Sequence, residues 1–122
     1  MKPRIVLFHG TTLTLLLDHH IAAKTPAYTK WFILTNVGWR DIMELPRARI
    51  VDNDREHKTH HTIALTLDIS EPRSLMRVRR SNRGNYHVHI YEVRHPVTVE
   101  PIAEYHHDEA IEFLITQGLL DP

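Results

Sequence analysis

Apolar residues along the chain fall into short blocks separated by polar turns, and the period inside each block predicts its element. Arg4–Phe8 carries the continuous run Ile5-Val6-Leu7-Phe8, closed by His9-Gly10, and reads as a short buried strand. Leu13, Leu16, Leu17 and Ile21 then recur at helical spacing, with Thr11 or Thr12 as a cap. This predicts a helix over Leu13–Lys24, stopped at Thr25 by Pro26. Trp31–Thr35 reads as a strand broken by Gly38, and Trp39–Leu45 as one or two helical turns ended by Pro46. Arg49–Val51 is a short strand, followed by a polar turn at Asn53-Asp54-Arg55-Glu56.

The second half is more regular. Ile63, Leu65, Leu67 and Ile69 alternate with Thr62, Ala64, Thr66 and Asp68, the period of a half-buried strand. Leu75–Arg79 is a further strand, and Ser81-Asn82-Arg83-Gly84-Asn85 is a strong turn because Asn and Gly tolerate positive φ. Tyr86–Arg94 reads as a long strand with His87, His89, Tyr91 and Val93 on one face. Val97–Glu100 continues it as a bent edge strand after Pro96. Asp108–Gln117 is the clearest helix: acidic residues sit at its start, Ile111, Leu114 and Ile115 on one side, and Gly118 at its end. Closely spaced strand signals from Thr59 to Glu100 suit hairpins better than crossovers. The expected fold is therefore a single α+β domain over residues 1–122, with a mostly antiparallel twisted sheet and two principal helices, Leu13–Lys24 and Asp108–Gln117.

Composition narrows the chemistry. The 122 residues are 42% hydrophobic and 25% charged, which argues against wholesale disorder and fibrous repeats. Lys+Arg and Asp+Glu both count 15, so bulk charge singles out neither a nucleic-acid nor a membrane partner. The absence of Cys excludes disulfides, thiolate metal sites and cysteine nucleophiles. No apolar run approaches the roughly 20 residues of a membrane-spanning helix, and Ile5–Phe8 is too short for a signal peptide. The expected setting is the cytoplasm of a bacterium, or of the host if the chain is phage-encoded. Eleven histidines stand out, and below about pH 6 they would make the protein strongly cationic.

Three groups of residues carry candidate chemistry. The first is His9-Gly10-Thr11-Thr12, an imidazole, an open backbone and two hydroxyls at one strand end. A helix cap and turn would explain the same residues. Phe8-His9-Gly10-Thr11 resembles the first motif of the ADP-ribosyltransferase superfamily, of the small bacterial or phage type, in which a strand ending in His-Gly-Thr binds NAD. Lys30-Trp31-Phe32-Ile33-Leu34-Thr35 is similar to the aromatic–Ser/Thr strand that follows in that family, with Trp31 or Phe32 where a Tyr is usual. The resemblance implies an NAD cofactor held by His9, Gly10, Thr11, Phe32 and Thr35. It implies a late catalytic acid, for which Glu100 is the first choice and Asp121 the second. The activity implied is transfer of ADP-ribose to a protein or nucleic-acid acceptor.

The second group is the histidines. His87-Val88-His89 places two imidazoles on one strand face, and His19-His20, His60-His61 and His106-His107 add more. Glu92 points away from the His87–His89 pair, and HExxH is absent, so these positions read as exposed polar strand residues and no metal is assigned. The third group is Arg73, Arg77, Arg79, Arg80 and Arg83, with no acid among them, while no Lys or Arg follows Arg94. This segment is expected to be exposed and to bind an anionic partner. It supports an alternative function: a non-enzymatic, phage- or bacterium-encoded binding module or inhibitor that engages a defence or nucleoprotein complex through its charged surfaces.

Overall fold

Gly10 turns the chain back on itself. Its φ of 62° lies in the left-handed region, and with Thr11 it forms the two-residue loop of a tight hairpin. On either side lie β1 (Arg4–His9) and β2 (Thr12–Ile21), paired from His9↔Thr12 back to Arg4↔Leu16. The computed structural model describes residues 2–53 and 60–122. The turn expected at Asn53-Asp54-Arg55-Glu56 therefore lies, from Asp54 onward, outside the described residues.

The helix expected over Leu13–Lys24 is a strand. The segment Thr12-Leu13-Thr14-Leu15-Leu16-Leu17-Asp18-His19 satisfies a period of 3.6 and a period of 2 together. Long-range pairing decides between them. β6 (His60–Asp68) pairs with β2 along its length, from Thr12↔Asp68 to His20↔His60. In a strand, Leu13, Leu15, Leu17 and His19 all turn inward, whereas a helix would leave part of that set outside. The run Ile5–Phe8 is a strand as expected but is not buried: Leu7 is 64% exposed. β1 pairs only with the margin of β2, whose own leucines already fill the core beneath.

The remaining strands are β3 (Tyr28–Thr35), β4 (Gly38–Asp41), β5 (Ala48–Asn53), β7 (Arg73–Arg80), β8 (Tyr86–Arg94) and β9 (Thr98–His106). Ile42–Glu44 is one 3-10 turn, where helical turns were expected over Trp39–Leu45. All described pairings are antiparallel, in the order β5-β6-β2-β3-β7-β8-β9. β2 and β3 share only His20↔Thr29 and Ile21↔Tyr28 before they diverge. Beyond that point β1 lies beside β2 and β4 beside β3, so the sheet opens into two halves.

The halves pack through one core that joins Leu13, Leu15 and Leu17 of β2 and Ile63 and Leu65 of β6 to Trp31, Leu75 and Tyr91 from β3, β7 and β8. The other face of β3, β7 and β8 is covered by α1 (His107–Thr116), through Ala110 and Leu114 on Met76, Val78, Val88 and Ile90. Gly118, at φ 75°, ends this helix, with the Leu119 amide donating to the Leu114 carbonyl at 2.9 Å. The fold is thus a mostly antiparallel sheet with one α-helix among the described residues, and none of its helices is long and apolar enough to cross a membrane.

Candidate metal centre

Among the described residues, the β8–β9 hairpin brings together a cluster of potential metal-ligating side chains. Its register sets His87 opposite His106 and His89 opposite Glu104. Residues two apart share a strand face, and opposed residues share a sheet face, so all four side chains converge. One carboxylate oxygen of Glu104, Oε1, lies 2.8 Å from His87 Nε2, 3.2 Å from His89 Nε2 and 3.4 Å from His106 Nε2. Ligand atoms of His87, Glu104 and His106 all fall within 4.8 Å of one another. The His87 and His106 rings stack with centroids 4.4 Å apart.

Electrostatics hold Glu104 in its ligating form. The His87 hydrogen bond and the surrounding imidazoles hold the Glu104 carboxyl below the usual carboxylate range, so it is an anion at neutral pH. Burial and the neighbouring His87 push His89 below the ordinary histidine range, toward neutral imidazole. His89 is also the end of a polar row across the sheet. Arg77 stands opposite it in register, and Arg77 Nη2 donates to Asp18 Oδ2 at 2.7 Å. His89 Nδ1 is buried with no hydrogen-bond partner among the described residues, so its Nε2 contact to Glu104 is what orients the ring.

A groove of about 650 Å³ opens beside His87 and His106. Its floor follows a line of register positions, His20↔Thr29, Thr29↔Arg79, Arg79↔His87 and His87↔His106, and Arg80, Asn82 and Asn85 complete it.

The residues expected to hold NAD are not gathered in this way. His9 faces outward with Thr12, on the side of the hairpin away from Leu13. Thr11 ties the turn to the end of β6, its carbonyl accepting from the Ile69 amide at 2.8 Å. Phe32 packs into the helix-side core, and the Thr35 hydroxyl donates to the Gly38 carbonyl at 2.8 Å within the β3–β4 turn. Thr35 and Asp68 do share a 460 Å³ groove, but His9 and Gly10 do not line it. Glu100 opposes Glu92 on the face of β9 turned from the core that Val93 and Val99 join, and no described pocket is lined by both His9 and Glu100.

The arginine segment divides. Arg79 and Arg83 are exposed, Arg73 and Arg80 half-buried, and Arg80 lies over the Tyr86 ring at 5.6 Å. Arg77 is not exposed: its side chain is 6% accessible, paired with a carboxylate 59 residues away in sequence. Glu104 is the functional candidate that sequence reading passed over, and His106 was named only as one of the adjacent histidine pairs, not as a partner of His87. Their signal was present as Glu104-Tyr105-His106, an i, i+2 pair mirroring His87-Val88-His89, but only the hairpin register joins the two.

A second histidine group predicts the acid response. His19 and His61 stack across β2 and β6 with centroids 5.7 Å apart, and the Nδ1 of each is buried without a partner among the described residues. Burial, then the His61 imidazole, pushes His19 below the ordinary range, and burial and His60 do the same to His20. An unfolded chain therefore binds protons that the folded state refuses. The stability these groups contribute is complete above the unfolded value of about 6.5 and is lost as pH falls through it toward the lower folded values. The thermal midpoint should drop steadily as pH falls from about 6.5 to about 5, with a shallower drop in His19→Leu. An unchanged or rising midpoint over that interval would refute the assignment.

Compared with protein-family models, with curated proteins and with solved structures, the chain matches none.

Proposed function

We propose that the protein binds a divalent transition-metal ion through His87, Glu104 and His106, with His89 positioning the carboxylate, and presents that ion to the adjoining groove. The observation that carries the reading is the approach of one Glu104 oxygen to three imidazole nitrogens from two neighbouring strands. Bonds of about 2.0–2.1 Å to imidazole and carboxylate set tetrahedral ligand atoms about 3.3 Å apart. The 3.4 Å separation of Glu104 Oε1 from His106 Nε2 matches such an edge, and the 2.8 Å contact to His87 has to open by about 0.5 Å to reach it, so an ion can enter by side-chain rotation on the hairpin. Two histidines and a carboxylate suit zinc, cobalt, nickel or ferrous iron. Because His106 is 75% exposed and the groove lies beside it, open coordination positions would face solvent, the arrangement of metal sites that polarise or hydrolyse a bound ligand.

Titration calorimetry with Zn²⁺ at neutral pH tests this. The wild-type protein should bind saturably, and saturation near 100 Kd should stabilise it by about 2.7 kcal/mol. His106→Ala and Glu104→Gln should each weaken binding by about tenfold to a hundredfold while leaving the metal-free thermal midpoint within a few degrees. Absence of saturable binding, or variants that bind like the wild type, would defeat the proposal.

A further inference from the structure

We infer that the groove beside the candidate metal centre is an oxyanion site for a phosphate group, which bridges the metal and Arg79. This rests on the metal reading and deepens it. Arg79 stands directly opposite His87 in the β7–β8 register, and His87 stands opposite His106, so a guanidinium and two ligating imidazoles lie in one line across three strands. Cross-strand neighbours have Cβ atoms about 5 Å apart, which leaves room for one tetrahedral anion between the guanidinium and an ion held by His87.

Further observations on this side point to an anion. Arg79 is exposed and has no carboxylate partner among the described residues. Arg80, next along the strand, turns to the other sheet face and lies over the Tyr86 ring, so Arg79 is the guanidinium on the His87 side. Asn82 and Asn85 bring amide donors to the same rim.

Glu104 sets the condition. Its anionic carboxylate borders the groove through its contacts to His87 and His106 and would repel an incoming phosphate. A divalent ion on Glu104 reverses the local sign. Anion binding should therefore depend on metal, and planar bidentate contact from Arg favours phosphate over a monovalent halide.

The test uses the full chain loaded with equimolar Co²⁺, whose visible absorption reports its coordination, titrated with inorganic phosphate and, in parallel, with phenyl phosphate and with chloride. Phosphate should shift the cobalt spectrum saturably, phenyl phosphate should do likewise if the groove accepts an ester, and chloride at equal ionic strength should not. Arg79→Ala should keep cobalt affinity and weaken phosphate at least about tenfold; Arg79→Lys should recover only part of it. Arg83→Ala, at the exposed turn, should behave as wild type. A cobalt-loaded protein whose spectrum ignores phosphate, or an Arg79→Ala variant that binds phosphate normally, overturns the oxyanion site and leaves the metal reading intact. Failure to bind cobalt at all overturns both.

Discussion

Asp18→Ala is expected to destabilise the protein by about 3 kcal/mol or more, because removing one member of a buried ion pair strands the other charge away from water. The Arg77 side chain is 6% exposed and that of Asp18 31%, and their 2.7 Å contact is the ion pair described for Arg77. The residual exposure of Asp18 places the effect toward the lower end of the usual range of about 3–5 kcal/mol. Arg77 Nε is already buried without a partner, so no reserve acceptor waits among the described residues. The thermal midpoint should fall by about 10 °C or more. In an Arg77→Met background the same Asp18→Ala change should cost far less, since no buried cation is left to strand. Loss of under about 1 kcal/mol in the single variant would show that the pair behaves as a surface contact. The same geometry separates the arginines by charge reversal: Arg79→Glu should leave the midpoint nearly unchanged, whereas Arg77→Glu should collapse the fold by setting two carboxylates together.

Trp31→Ala should be comparably severe, at about 3–5 kcal/mol. Trp31 is fully buried between the halves of the sheet, its ring centroid 5.9 Å from that of Tyr91. Its Nε1 donates to the Asp18 carbonyl at 2.6 Å, at the level where β2 and β3 have just diverged. Truncation removes the side chain that fills this opening and leaves the carbonyl without that donor. Trp31→Phe keeps most of the volume and loses the hydrogen bond, so it should cost nearer 1–2 kcal/mol, about one unsatisfied buried acceptor. Urea denaturation followed by far-ultraviolet circular dichroism reads both. A Trp31→Ala protein within about 1 kcal/mol of the wild type would mean that the halves hold together without this residue.

Local pattern was enough where an element's own residues leave one solution. The alternation Ile63-Ala64-Leu65-Thr66-Leu67, the Ser81–Asn85 turn, the Tyr86–Arg94 strand and the helix ended by Gly118 were all legible, because period, turn chemistry and helix caps are properties of neighbouring residues. The antiparallel α+β class followed from them, as did the placing of His87 and His89 on one face. Thr12–Ile21 was not decided locally. Its leucines fit a helix stripe and a strand face alike, and the choice fell to β6 and to the Gly10 hairpin. The same holds for the sites. His9-Gly10-Thr11 forms a tight turn, and His9 lines none of the described pockets, while Arg77 acquired its carboxylate from a strand it does not neighbour in sequence. Glu104 and His106 became partners of His87 and His89 only through the register of one hairpin. A one-residue slip there would turn both away, since strand side chains alternate between faces. The chain by itself therefore determined which side chains are available and which strand faces carry them. Pairing and register between strands, set by long-range burial and hydrogen bonding, decided which of them meet.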